Sequence, residues 1–235
     1  MSNFEIIHAD SKDFLATYRK NDIDCIFTSP YPIRLQYDYV TILHILGVLC
    51  KRVLKPQGSM WIHMEDSYND KGSLRRWPAR FSTEMISSYD WILRAERIWH
   101  IPVGDSDYFN EGKIVDNNRL ILDHCYVFHF TQARYGYYNS FEYLKGQPCS
   151  IFTDKLEKLD PNGFETGFSK ELMKQSLLMS CPPEGKVLDP FCGSGSTGVT
   201  ALSLGMSFLG IEIDETKISK IEQRLGKVST TIVPQ

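Results

Sequence analysis

Hydrophobic positions fall in short runs broken by polar or Gly/Pro turns, and their spacing alternates between that of strands and that of helices. Phe4-Glu5-Ile6-Ile7-His8 predicts a strand ending at Asp10, followed by a helix over 13–19 with Phe14, Leu15 and Tyr18 on one side. Asp24-Cys25-Ile26-Phe27 predicts a buried strand running into Thr28-Ser29-Pro30-Tyr31-Pro32, where two prolines forbid helix and sheet alike. Residues 40–54 carry helical spacing, Pro56-Gln57-Gly58 predicts a turn, and 59–64 reads as the next strand. A polar, irregular stretch over 66–80 precedes a helix at 81–89 and a strand at 91–99. After a long aperiodic loop at 101–118, residues 125–131 predict a further strand. The last third is the most regular, with a helix over 170–180, a strand at 186–188 and a glycine-rich turn over 189–198. A helix then runs to Leu204, followed by a strand at 207–211 and a helix around 218–225.

Strands and helices alternating at these lengths predict a doubly wound α/β sheet, whose ligand site lies beyond the C-terminal ends of the strands. With 235 residues, 42% hydrophobic and 23% charged, the chain fits a single domain over 1–235. Two stretches stand apart: the aromatic, polar region 132–166 and the loop 66–80, both read as insertions. The net charge of -3 provides no general positive field, so any nucleic-acid surface must be a local patch. The start of the chain lacks the basic and apolar segments of a signal peptide, and Val40–Cys50 is too short to span a bilayer. These features predict a cytoplasmic protein away from membranes. Six cysteines are scattered singly without C-x-x-C spacing, and His8, His63, His100 and His129 show no ligand spacing. Neither a disulfide framework nor a metal site is expected.

Two loops carry candidate chemistry. In Asp189-Pro190-Phe191-Cys192-Gly193-Ser194-Gly195-Ser196-Thr197-Gly198, small residues between a strand and a helix let the backbone approach a ligand and turn free N–H groups outward. A glycine pair alone is accounted for by a tight turn. Here, however, Glu212 ends the next strand about 20 residues on, where an acid accepts hydrogen bonds from ribose hydroxyls. That spacing points to an adenosine-bearing cofactor, and the absence of a pyrophosphate-type glycine pattern argues against a dinucleotide.

The second loop is Ser29-Pro30-Tyr31-Pro32. The lone pair of an exocyclic base amine is delocalised into the ring, so alkylating it requires oxygen acceptors that draw the pair toward the electrophile. The Ser29 hydroxyl and the Pro30 carbonyl are such acceptors, the prolines fix them without needing N–H partners, and Tyr31 offers a stacking face. A rigid turn with a packed tyrosine is the alternative for this tetrapeptide taken alone.

Together the loops resemble the exocyclic-amino DNA methyltransferases of the β arrangement, in which the S/D/N-P-P-aromatic loop comes first and the D-P-F-x-G-S-G loop last. Asp189 to Gly195 matches the second at every defined position, and Thr28-Ser29-Pro30 matches the start of the first. Leu54 to Ser59, Glu65-Asp66-Ser67-Tyr68 and Asp123 to Phe130 also fit, so the resemblance covers about nine-tenths of the chain. The first loop departs in reading Ser-Pro-Tyr-Pro, which leaves Tyr37 or Tyr39 as alternative stacking residues. Cys125 stands where the family commonly has glutamate.

The resemblance implies a Rossmann-like class I sheet with permuted motif order, S-adenosylmethionine as cofactor and double-stranded DNA as substrate. It implies Ser29, Pro30 and Tyr31 as the catalytic loop. Asp189, Phe191, Gly193, Ser194, Gly195 and Thr197 would surround the cofactor, with Glu212 on the ribose, Asp10 near the adenine amine and Ser169, in Phe168-Ser169-Lys170, as a looser element. Serine in the first position resembles the cytosine-N4 branch, with direct transfer to a flipped base. Adenine-N6 transfer is one alternative, and a non-catalytic nucleic-acid-binding protein on the same fold is another. A carbon-5 mechanism would need a nucleophile such as Cys149, which lies in the inserted region. Lys71, Arg75, Arg76, Arg80, Arg134, Tyr135, Tyr137 and Tyr138 are the candidate DNA contacts. A homodimer and a cognate restriction endonuclease are the further partners the resemblance allows.

Overall fold

The computed structural model describes residues 3–30, 38–102, 122–139, 150–154 and 168–229. Strand β1 (Phe4–His8) leads through α1 (Ser11–Thr17) to β2 (Ile23–Thr28). Helix α2 (Tyr39–His44) continues through a π turn at Ile45–Leu49 into α3 (Cys50–Val53), then β3 (Leu54–Met64). Helix α4 (Trp77–Ser87) precedes β4 (Ile92–His100), β5 (His124–Thr131) and the short β6 (Ile151–Thr153). Helix α5 (Lys170–Ser180), β7 (Lys186–Asp189), α6 (Ser196–Ser203), β8 (Ser207–Glu212) and α7 (Glu215–Ser229) complete the fold.

The strands form one sheet in the order β1-β8-β7-β2-β3-β5-β4-β6. The neighbours from β1 to β3 pair in parallel, β5 runs antiparallel to both β3 and β4, and β6 pairs in parallel with β4. Connections progress from β2 to β3 on one side and from β7 through β8 on the other. The order therefore reverses between β7 and β2, the position at which open α/β sheets bind ligands.

Alternate residues on each central strand feed two cores. Ile26, Met60, Ile62, Leu188 and Leu209 lie in the core that includes Leu15 of α1, Ile42 of α2 and Phe81 of α4. Phe27, Trp61, Val187 and Phe208 lie in the second, with Leu172 and Leu177 of α5, Ala201 of α6 and Ile221 and Leu225 of α7. Burial on both faces explains why these strands read as nearly continuous apolar runs.

The structure departs from the sequence expectation in three places. Pro56-Gln57-Gly58, expected as a turn, lies within β3 as an irregularity, since the register steps from Ile23–Leu54 directly to Cys25–Ser59. Gly58 is needed there because an added Cβ would stand 2.8 Å from the Asp24 carbonyl oxygen. Helix α4 begins at Trp77, inside the stretch expected to be irregular, and Pro78 in its first turn leaves no helical donor unsatisfied. Strand β6 has no counterpart in the hydrophobic pattern.

Residues 66–76 and the described start of the second expected insertion, 132–139, lie at different ends of the sheet, while β6 later in that insertion pairs with the C-terminal end of β4. Residues 66–76 follow the C-terminal end of β3 and fold on themselves, with Asp66 Oδ1 accepting from Ser67 N and Asn69 Oδ1 from Lys71 N and Ser73 N. Arg75 N donates to the Ser67 carbonyl at 2.8 Å. The described start of 132–166 instead straps across the beginning of β3: Gln132 Nε2 donates to the Lys51 and Leu54 carbonyls, and Tyr137 N to the Gln57 carbonyl. Arg134, Tyr135, Tyr137 and Tyr138 therefore sit at the opposite end of the sheet from the strand tips described next. Residues 140–149 and 155–167, including Cys149, lie outside the described residues.

Candidate functional site

Five neighbouring strands that run the same way place their C-terminal ends around the reversal point. Asp189, at the end of β7, is buried, and its carboxylate binds three groups. Oδ1 accepts from Thr28 Oγ1 at 2.7 Å and from Phe191 N at 3.0 Å, while Oδ2 accepts from Thr197 Oγ1 at 2.7 Å. One side chain thus ties the end of β2, the loop after β7 and the first turn of α6. Burial pushes its pKa up to about 6, with Glu212 adding in the same direction, against the lowering effect of the three donors.

The loop after β7 turns on Gly193 and Gly195, with φ of +55° and +77°. Such backbone is left-handed, where glycine is free of the Cβ clash. At Gly193 a Cβ would meet only the Phe191 carbonyl oxygen, at 3.7 Å, so the space beside the loop is open. At Gly198 it would stand 2.6 Å from the Phe208 ring, so this glycine lets α6 pack against β8. Glu212, nearly buried at the end of β8, accepts from Gly193 N at 2.8 Å and from Asp214 N at 3.0 Å. Lys217 Nζ lies 3.8 Å from its Oε1.

The β1 end joins the same cluster. Ala9 N donates to the Glu212 carbonyl, and the Ser11 hydroxyl donates to the Pro190 carbonyl. Asp10 caps α1 by accepting from Lys12 N at 2.7 Å. Asp10, Asp189, Phe191, Gly193, Ser194, Gly195, Thr197 and Glu212, eight of the nine residues expected around a cofactor, are therefore brought together. Ser169 stands slightly apart. Its hydroxyl accepts from Leu172 N as the cap of α5 and donates to Asp154, and its neighbour Phe168 packs against Phe27, His63 and Trp99.

Ser29 directly follows Thr28, so the Thr28–Asp189 hydrogen bond fixes it beside the glycine loop. Its Oγ lies 2.7 Å from Nδ1 of His63, a residue near the end of β3. Pro30 is buried, while Tyr31 and Tyr37 lie outside the described residues. Tyr39 is half-buried beside Trp77 and Arg80. Its ring packs on Trp77 with centroids 4.8 Å apart, and the Arg80 guanidinium lies 4.6 Å from its centroid. The Tyr39 hydroxyl is buried, and burial together with Glu84 pushes its pKa up to about 12.

His63 escaped the sequence reading, where a lone histidine in an apolar run reads as packing. The signal lies in the register: β2 and β3 pair Thr28 with Ile62, and one step further sets Ser29 opposite His63. His63 is buried, and desolvation lowers its pKa to about 3, so the ring is neutral. Its Nε2 makes no hydrogen bond, and Glu65 Oε1 lies 4.0 Å away. His63, Glu65 and Cys125 bring one donor atom each to within 4.8 Å of one another, which the sequence spacing did not suggest.

The cysteines supply no nucleophile among the described residues. Cys25, Cys50, Cys125, Cys181 and Cys192 are all free and buried. Burial pushes the Cys50, Cys125 and Cys192 thiols up, away from the reactive thiolate. No described helix is long and apolar enough to cross a membrane.

Comparison with known proteins agrees with this geometry. The chain is 24% identical to the type II methyltransferase M.SmaI of Serratia marcescens, over 94% of this chain and 90% of that one. It is 23% identical to M.Cfr9I of Citrobacter freundii, over 97% and 89%. Among solved structures, the cytosine-N4-specific PvuII DNA methyltransferase superposes with a TM-score of 0.82 at 16% identity, covering 98% of this chain and 91% of that one. The complex of M1.HpyAVI with S-adenosylmethionine superposes with a TM-score of 0.67 at 20% identity, covering 94% and 98%. The sheet is accordingly that of the class I S-adenosylmethionine-dependent methyltransferases. The family model described as DNA methylase, N6_N4_Mtase, matches residues 23–223. With most of its length inside that match, and the glycine-rich and proline loops meeting at Asp189, the chain belongs to the N6/N4 family of DNA methyltransferases.

Proposed function

We propose that this protein methylates the exocyclic N4 amine of cytosine in double-stranded DNA at a specific site, with S-adenosylmethionine as methyl donor. The observation that carries the reading is the 2.7 Å hydrogen bond by which Thr28, the residue before Ser29, donates to the Asp189 carboxylate that organises the glycine loop. The residues fit the cofactor. Open space beside Gly193 receives it, Glu212 is the acceptor for its ribose hydroxyls, and Phe191 and Thr197 border the loop. Asp10 is the acceptor for its adenine amine. When bound, S-adenosylmethionine supplies an electrophilic methyl group on a sulfonium.

The chain's own residues prepare the nucleophile. Ser29 Oγ and the Pro30 carbonyl accept hydrogen bonds from the amine N–H groups, which localises the nitrogen lone pair for in-line attack, and the nitrogen, having gained the methyl, releases one of its two protons to solvent. The base enters flipped from the duplex, with Tyr31 as its stacking partner. Lys71, Arg75 and Arg76, on the loop at the same end of the sheet as Ser29, pair with phosphates. The serine in first position and the fold shared with a cytosine-N4-specific enzyme favour cytosine over adenine. The type II relatives favour a role beside a cognate endonuclease in the cytoplasm, with dimerisation extending a small recognition surface.

The test is transfer of labelled methyl from S-adenosylmethionine to unmethylated DNA, with mass spectrometry of the digested nucleosides. N4-methylcytosine that falls about 100-fold in Ser29→Ala is the expected result. N6-methyladenine would move the protein to the sister activity. Cofactor binding with no product on DNA would leave the non-catalytic reading.

A further inference from the structure

We infer that His63 is a positioning residue for methyl transfer, holding the Ser29 hydroxyl hydrogen so that Ser29 meets the target base as an acceptor only. The inference rests on the reading of Ser29 just given and adds a residue on a different strand.

The 2.7 Å separation between Ser29 Oγ and His63 Nδ1 is a full hydrogen bond, and the direction of donation follows from the surroundings. His63 is buried against Trp99 and Phe168, with ring centroids 5.7 and 4.7 Å away, and desolvation keeps it neutral. A neutral imidazole carries one N–H, and the Glu65 carboxylate 4.0 Å from Nε2 favours the proton on that side. Nδ1 is then the lone-pair nitrogen and Ser29 must donate to it. Filling this place with a polar ring is costly, since an apolar ring would pack equally well against Trp99 and Phe168 without desolvating two nitrogens.

A serine hydroxyl has one hydrogen and two lone pairs, and it rotates freely unless a partner fixes it. The Watson–Crick edge of cytosine presents an amine donor next to a ring acceptor at N3. A free hydroxyl can therefore turn its hydrogen to N3, which does nothing for the amine. With the hydrogen held by His63, only lone pairs face the base, and the amine is the one group on that edge that can use them. No proton is transferred to His63 in this arrangement.

The bond itself is tested without turnover, by 15N NMR of histidine-labelled protein. The expected spectrum shows His63 neutral, with Nε2 protonated and Nδ1 bare, and an Nδ1 resonance that shifts in Ser29→Ala. An Nδ1-protonated tautomer, or an Nδ1 signal indifferent to Ser29→Ala, overturns the inference. The consequence is tested by kinetics on whichever base the wild type methylates. His63→Phe keeps a ring against Trp99 and Phe168 but lacks the acceptor, and should lower kcat 10- to 100-fold with cofactor affinity and DNA KM within about threefold. His63→Asn, whose Oδ1 can take the place of Nδ1, should recover most of the loss. Combined with Ser29→Ala, His63→Phe should cost almost nothing more, because it acts through that hydroxyl.

A kcat within threefold of wild type in His63→Phe overturns the inference. So does a loss in both His63 variants that tracks their melting temperatures, or a loss that adds fully to that of Ser29→Ala. A wild type that makes no methylated base defeats the proposed function instead, and the tautomer measurement still decides the hydrogen bond.

Discussion

Asparagine in place of Asp189 would expose how much the buried carboxylate costs the fold. In the folded chain its pKa is pushed from an ordinary 3.8 to about 6, chiefly by burial. A value raised on folding means that the protonated acid is the better tolerated form. Stability from this group is fully present below about pH 4 and is lost as pH rises through about 6. The shift corresponds to about 3 kcal/mol. Asparagine does not titrate, and other carboxylates titrate in both proteins, so the stability difference between variant and wild type cancels them. That difference should move in favour of Asp189→Asn by up to about 3 kcal/mol between pH 4 and pH 8. A constant offset of about 1 kcal/mol against the variant is expected, because the amide nitrogen that replaces one oxygen cannot accept from a threonine hydroxyl as that oxygen does. Urea denaturation of both proteins at each pH unit measures it. A flat difference, or one that moves toward the wild type with rising pH, would refute the reasoning, since the three donors would then outweigh the burial.

Further predictions follow from the same site. Gly193→Ala meets only the strain of a left-handed residue, about 1 kcal/mol, so the variant should melt within a few degrees of wild type yet bind S-adenosylmethionine at least tenfold more weakly by calorimetry. Gly198→Ala should do the reverse, because a methyl 2.6 Å from the Phe208 ring costs about 1–3 kcal/mol in thermal denaturation while cofactor affinity in the folded fraction holds. Glu212→Gln removes the charge that accepts from Gly193 N and Asp214 N, and should weaken cofactor binding about tenfold with little change in methylation rate at saturating cofactor. Iodoacetamide at pH 8 should leave Cys25, Cys50, Cys125, Cys181 and Cys192 unlabelled in peptide maps of the folded protein and label them all in urea; rapid labelling of Cys192 in the native state would show that its loop opens.

Much of this was legible before the structure. The central strands announce themselves as apolar runs because both of their faces are covered, and the glycine loop and Glu212 are recognisable because a strand, a tight turn and an acid recur at a spacing that chemistry requires. What escaped depends on neighbours distant in sequence. Strand β6 is three residues long and exists only because β4 offers an edge to pair with. Pro56-Gln57-Gly58 has the composition of a turn, but strand pairing on both sides of it draws it into β3. His63 gains its role solely by lying opposite Ser29, and the contacts of Tyr39 with Trp77 and Arg80 are set by α4, which the hydrophobic pattern starts later in the chain. The separation of Arg134–Tyr138 from loop 66–80 is likewise a matter of which end of a strand each follows.

The strand order also governs how the chain can come into being. β1 pairs with β8, Phe4 against Phe208, and β8 is its one strand partner among the described residues. Between β1 and β2 two places must stay vacant until β7 and β8 have been synthesised. A ribosome-bound chain that has already released Asp10, Ser29 and His63 therefore holds them on a sheet that cannot close, with the β2 edge bare where β7 will fit. Non-local pairings of this kind form slowly. Closure of the sheet by the last third of the chain assembles the proposed cofactor cradle and brings Ser29 beside it in the same event. An incomplete chain would be unable to methylate anything, and competence would arrive all at once.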